Sequence, residues 1–138
     1  MTQINAYINF KGNTREAMAF YQECFGGELD IQTIAGSPIE EHMAPELRSG
    51  VMHSALMNGG VMLMGSDMVS PEGLIEGNNM SLMVGCGTEE EIDRLFAKLS
   101  EGGSITCPLG DSFWGSKFGH LTDKFGTRWG LNYDKNAK

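Results

Sequence analysis

Three side chains in the first half of the chain have the chemistry of proton-transfer groups: Tyr7, His53 and Asp67. A phenol, an imidazole and a carboxylate could together move a proton on a carbonyl or hydroxy-aromatic molecule. A second set has the chemistry of binding. Near the N-terminus Asn5, Tyr7 and Asn9 alternate with Ile4, Ala6, Ile8 and Phe10. Period two puts the polar set on one face of a strand and the apolar set under a helix. Asn79, Ser81 and Met83 repeat that phase further on. Near the C-terminus Arg128, Gly130 and Asn132 share one face, and Trp129 and Leu131 the other. An unpaired buried amide costs about 1–3 kcal/mol. Several on one face therefore suggest bonds waiting for a polar ligand, although loop backbone or ordered water would satisfy them equally well.

The stretch from Phe113 to Gly119 reads FWGSKFG. Its glycines let it bend. Trp114 and Phe118 beside Lys117 could form an aromatic lid with a cationic tip, suited to an anionic or carbonyl-bearing molecule. A hydrophobic plug or a dimer contact would use Trp114 as well. Lys117 and Arg128 are candidate charge partners for a ligand, and surface ion pairs would look the same in sequence.

Positioning these groups requires two helices and eight short strands. The first helix follows Gly12, with Asn13 as N-cap and Glu16 completing a capping-box-like pair. Ala17, Phe20, Tyr21 and Cys24 share its apolar face, and Gly26-Gly27 ends it. The second is capped by Thr88, carries Glu89, Glu90 and Glu91 at its positive end, and stops at Gly102-Gly103. Its stripe of Ile92, Leu95, Phe96 and Leu99 gains roughly 6–12 kcal/mol on burial, so it must cover a sheet. Strands are expected over 4–10, 28–34, 51–57, 60–66, 79–86, 104–106, 117–122 and 127–133. Asn58-Gly59 and Phe125-Gly126 mark hairpins. Loops fill 35–50, 67–78 and 107–116.

The order strand, helix, three strands thus occurs twice, once over about 3–67 and again over about 78–134. The halves align as Asn13-Thr14 with Gly87-Thr88, His53 with His120, Gly59 with Gly126 and Leu63 with Gly130. This points to an α+β chain built from a duplicated βαβββ module.

The chain has 138 residues, which is the size of one domain spanning 1–138. Its net charge of -8 disfavours nucleic acid and anionic membrane surfaces as partners. No apolar run is long enough for a membrane span. With no leader pattern and three unpaired cysteines, the expected setting is the cytoplasm.

Three motifs carry a family resemblance: NFKGNTREAMAFYQECFGGEL, HSALMNGGVMLMGSD and DSFWGSKFGHLTDKFGTRWGLN. In these the chain resembles the vicinal oxygen chelate superfamily (glyoxalase and bleomycin-resistance proteins), and within it the PhnB-like branch also called 3-demethylubiquinone-9 3-methyltransferase domains. The resemblance implies a sheet curved around a ligand cleft, helices outside, and pairing as a homodimer. It also implies a metal held on the first, fourth, fifth and eighth strands by His, Gln or Glu. Those positions fall at Asn5, Ala6 or Tyr7; near Leu63; near Met80, flanked by Asn79 and Ser81; and at Gly130. None is His, Asp or Glu, so neither a metal nor another cofactor is expected. A rival arrangement would join His53 and His120 with Asp67 or Asp123 around an ion.

Other chemistry finds little support. Gly85–Glu90 reads GCGTEE, which lacks the third glycine of a dinucleotide loop and reads as a helix cap. Cys86 has no basic neighbour in sequence to activate it. Two functions stand side by side. One is a metal-independent protein binding a small polar or aromatic molecule through Asn5, Tyr7, Asn9, Asn79, Ser81, Trp114, Lys117, Phe118, Arg128 and Asn132. The other is an enzyme of the same fold, a lyase, isomerase or oxygenase, using Tyr7, His53 or Asp67.

Overall fold

The computed structural model describes residues 2–69 and 73–136. Residues 70–72 of the expected 67–78 loop lie outside the described ones. The chain divides into two compact units, Met1–Ile75 and Glu76–Lys138. Each has one helix against one four-stranded sheet, giving an α+β fold with no helix among the described residues long and apolar enough to cross a membrane.

In the first unit the elements are β1 (Ala6–Asn9), α1 (Thr14–Phe25), β2 (Glu28–Thr33), β3 (Val51–Asn58) and β4 (Val61–Ser66), with two 3-10 turns at Glu40–His42 and Pro45–Leu47. The sheet order is β1-β4-β3-β2, with β1 parallel to β4 and the other pairs antiparallel. Ala17, Met18, Phe20, Tyr21 and Cys24 of α1 are buried, and so are Leu56 and Leu63 of the sheet. The second unit repeats the plan as β5 (Leu82–Gly85), α2 (Glu89–Ser100), β6 (Ser104–Asp111), β7 (Ser116–Thr122) and β8 (Arg128–Asp134), ordered β5-β8-β7-β6. Ile92, Leu95, Phe96 and Leu99 of α2 are buried, as are Leu121, Trp129 and Leu131.

The Gly-Gly pairs after both helices have one physical cause. A Cβ on Gly27 would overlap the Met57 carbonyl oxygen, and one on Gly103 would overlap that of Thr122. The chain leaving each helix passes against the end of the third strand of its unit too closely for any side chain.

Several expectations are corrected. Asn13 makes no side-chain cap. Instead Asp67, just past β4, accepts from the Thr14 amide at 3.0 Å and the Thr14 hydroxyl at 2.6 Å. Its other oxygen accepts from the Val51 amide at 2.8 Å. β1 starts at Ala6, which leaves Ile4 98% exposed rather than packed under the helix. β6 runs on to Asp111 rather than stopping at Thr106, because two bulges absorb the irregular Cys107–Gly110 stretch. Thr88 caps α2 as expected: its hydroxyl accepts from the Glu91 amide at 3.1 Å, and Glu91 returns an acceptor to the Gly87 amide at 2.8 Å.

The repeat is real, but its register differs from the sequence alignment. The pair Ala6 with Leu63 corresponds to Leu82 with Trp129, since Phe10 N–H reaches Ser66 O as Cys86 N–H reaches Asn132 O. Gly130 then matches Met64, not Leu63. His120 matches Ala55, and His53 matches Phe118. The two histidines are not repeat mates.

Candidate functional site: the helix-free faces of the two sheets

Side chains alternate across a strand, so each sheet has one face against its helix and one face free of it. In the first unit register places Tyr7, Met64, Ala55 and Asp30 in one row of the free face. His53 and Gln32 belong to the next row, and Met57, Met62 and Glu28 to the row on the other side. Tyr7 is 48% exposed. Its hydroxyl lies 3.3 Å from His53 Nδ1, and the two rings stack with centroids 5.7 Å apart at 29°. β1 and β3 are not neighbours; the aromatic pair bridges over β4. This brings together two of the three proton-transfer candidates. The third, Asp67, is tied to Thr14 and Val51 as described, which gives its carboxylate a structural task at the start of α1. Asn9 donates its amide to the Met68 carbonyl, so loop backbone satisfies it. Asn5 precedes β1 and is exposed.

A cavity of about 380 Å³ also opens in this unit, lined by Phe10, Ile34, Met43, Leu47, Met68 and others, with Asp67 in its wall. Of the sequence candidates only Asp67 borders it. Part of its apolar lining, Met43 and Leu47, comes from the segment of the 3-10 turns, whose sequence has no periodic signal.

In the second unit three successive rows of the free face carry the candidates. The first holds Arg128 beside Thr122, the second His120, Gly130 and Met83, the third Phe118, Asn132 and Gly85. Ser81 extends the first row just ahead of β5. Gly130 is buried beneath the exposed Met83 side chain: a Cβ there would come within 2.8 Å of Met83 Cε and 3.5 Å of His120 Cδ2, so only glycine leaves the thioether room. His120 reaches Ser81, whose hydroxyl lies 3.0 Å from Nε2, while the Thr106 hydroxyl lies 2.7 Å from Nδ1. Hydroxyls both donate and accept, so they suit either tautomer of a neutral ring. Burial, and then the Arg128 charge, hold the His120 pKa below its ordinary value and keep the ring neutral. Arg128 Nε is buried with no hydrogen-bond partner among the described residues.

The aromatic segment divides. Trp114 meets Phe118 edge to face, with centroids 6.0 Å apart, and Phe113 meets Trp114 the same way at 5.0 Å. Trp114 is 54% exposed. Lys117 does not join them. It shares the helix-facing parity of Gly119 and Leu121, and its ammonium binds Glu89 at 3.0 Å and Asp93 at 2.7 Å on α2. These carboxylates raise its pKa. Lys117 therefore pins the helix instead of tipping a lid. Asn79 lies before β5 and is exposed. Cys86 is buried, and burial followed by the Glu91 charge pushes its thiol up to about 11. Cys107 is exposed. Sequence reasoning missed Thr106 because the β6 bulge sets its direction, and it treated His120 only as a metal ligand.

The metal implied by the family resemblance does not fit these residues. The free-face positions of β1, β4, β5 and β8 carry Tyr7, Met64, Met83 and Gly130, with Arg128 one row along. Leu63, the expected fourth-strand position, faces the core. In the first unit a phenol and a thioether, and in the second a thioether beside a glycine and a guanidinium, give a hard divalent ion no set of ligands. The rival set fails as well. Asp67 is engaged, and Asp123 accepts from the Phe125 and Thr127 amides and Trp129 Nε1. Among the described residues no group of three His, Cys, Asp or Glu could hold an ion.

Comparison with known proteins agrees with this architecture. The chain is 30% identical to protein YjdN of Escherichia coli strain K12, over 96% of this chain and 95% of that one. A crystal structure of a Pseudomonas aeruginosa protein is 36% identical with TM-score 0.83, covering 97% and 98% of the two chains. A Bacillus cereus PhnB protein, described as a putative 3-demethylubiquinone-9 3-methyltransferase, is 32% identical with TM-score 0.73, covering 96% and 99%. The fold alone is shared with a glyoxalase/bleomycin resistance protein/dioxygenase family enzyme of Burkholderia phytofirmans, at 15% identity and TM-score 0.62 over 95% of each chain. The family described as 3-demethylubiquinone-9 3-methyltransferase matches residues 2–132, and the chain belongs to this PhnB-like family of the glyoxalase/bleomycin-resistance fold.

Proposed function

We propose that the protein binds a small polar or aromatic molecule on the helix-free faces of its sheets, without a metal. The observation that carries this reading is the buried Arg128 Nε, which has no acceptor among the described residues, on a face that also holds His120, Ser81, Asn132 and the exposed Met83. A buried donor without a partner costs about 1–3 kcal/mol, which a ligand acceptor would recover. Thermal-shift screening against polar and aromatic metabolites tests the reading. A ligand present at a hundred times its Kd adds about 2.7 kcal/mol to stability and raises Tm. Loss of the shift in Arg128→Gln supports the site; a panel in which nothing stabilises the protein counts against it. Methyl transfer, which the family description names, is not part of this reading, since the Gly85–Glu90 loop serves as the cap of α2.

The Tyr7–His53 hydrogen bond favours a second reading, an enzyme in which this pair passes a proton to or from a carbonyl or hydroxy-aromatic substrate. Turnover that vanishes in Tyr7→Phe, with ligand binding retained, would establish it. The first reading includes a homodimer, which would cover the exposed Ile105, Phe113 and Trp114; light scattering giving one chain per particle would exclude it. A reducing compartment such as the cytoplasm suits Cys24, Cys86 and Cys107, which form no disulfide among the described residues.

A further inference from the structure

We propose that Arg128 is an anion-binding residue and that the free face of the second unit takes a small planar carboxylate, its ring lying on the exposed Met83 thioether that covers Gly130. This rests on the small-molecule reading above and names the ligand class.

The charge argument comes first. The chain carries 18 acidic and 10 basic residues. In the second unit Lys117 is taken by Glu89 and Asp93, and Lys135 by Asp111 at 2.6 Å. Arg128 receives no carboxylate among the described residues, and its Nε is buried without an acceptor. An unmatched guanidinium in an acidic protein offers two parallel N–H donors, the geometry a carboxylate accepts. The neighbouring His120 is bonded to Ser81 and Thr106. The face thus presents one cation, which balances a monoanion; a phosphate dianion would want a second.

Shape gives the rest. From Arg128 to Asn132 along β8 is about 13 Å, room for one ring and a short substituent. Gly130 lets the Met83 thioether lie low over the strand, with the His120 edge beside it. The Trp114–Phe118 pair continues the apolar surface at the far row. A planar molecule would set its carboxylate on Arg128 and its ring on the exposed Met83 thioether, beside the imidazole edge.

The test is amide NMR titration of the full chain with sodium benzoate, benzamide and inorganic phosphate at matched ionic strength. Saturating benzoate shifts across 118–120 and 128–132 are expected, with benzamide at least tenfold weaker and no saturating phosphate shift. Arg128→Gln should weaken benzoate to the benzamide level, and Gly130→Ala should weaken both. If benzamide binds as well as benzoate, or Arg128→Gln changes nothing, the carboxylate assignment is overturned while small-molecule binding stands. Tighter phosphate binding also overturns it. If no probe moves this face, both fall. Should Arg128→Gln misfold, the benzoate–benzamide contrast in the unaltered protein decides alone.

Discussion

The two helix-free faces share a backbone plan and differ in chemistry. At matching positions the first has Met64 and Ala55 where the second has Gly130 and His120. The first is broad, soft and methionine-rich, with a stacked Tyr7–His53 pair. The second has a single thioether, Met83, over the glycine at its centre and holds a cation and a hydroxyl-clamped imidazole. The helix-facing sides diverge less: Leu63 and Trp129, and Leu56 and Leu121, are buried counterparts. Close packing constrains the inner residues, because each must fill volume against a helix. The outer residues are free of that constraint, so the proposed binding rests on the outer difference.

The strongest attack on the shared plan is at its glycines. Gly27→Ala and Gly103→Ala should each lose at least about 3 kcal/mol in urea unfolding, since the added Cβ meets backbone that cannot yield. One severe and one silent result would break the equivalence of the units. Next are two carboxylates that the units use differently. Asp123→Ala strands Trp129 Nε1 and two amides in the second hairpin and should cost about 3 kcal/mol. Asp67→Ala frees the start of α1 and should cost about 2 kcal/mol. The polar contrast is sharpened by NMR titration. His120 should titrate below the ordinary imidazole value of 6.5, and Arg128→Gln should raise its midpoint. Because the folded pKa is depressed, the unfolded chain takes up the proton first. His120 therefore lowers stability as pH falls from 6.5 toward the folded midpoint, and this pH dependence should shrink in Arg128→Gln. The smallest effect is expected from Tyr7→Phe, under about 0.5 kcal/mol in stability, because the hydroxyl is half exposed.

Sequence was a good guide where the signal is local. Period two gave the phases of β1, β5 and β8, and a helical stripe gave α2, because one buried face imposes a period on its own strand or helix. Long-range partners were hidden. Nothing near Thr14 announces that Asp67 will cap it, 53 residues away. Lys117 was misplaced because a lysine beside two aromatics resembles a ligand contact. Its parity with Leu121, together with Glu89 and Asp93 one turn apart, was the available clue. The repeat alignment slipped because histidines and glycines were matched by identity, while the hairpin between β7 and β8 differs from that between β3 and β4. The faces themselves could be listed from the sequence, but the bulge that turns Thr106 toward His120 could not.

The elevated Cys86 thiol has a practical consequence. With its pKa near 11, only about one molecule in ten thousand carries the reactive thiolate at pH 7. Cys24 is shielded inside the first unit. A maleimide dye or nitroxide should therefore attach at Cys107 alone, on the strand bearing Thr106. The native chain thus carries its own reporter position beside the imidazole, with no engineered cysteine needed.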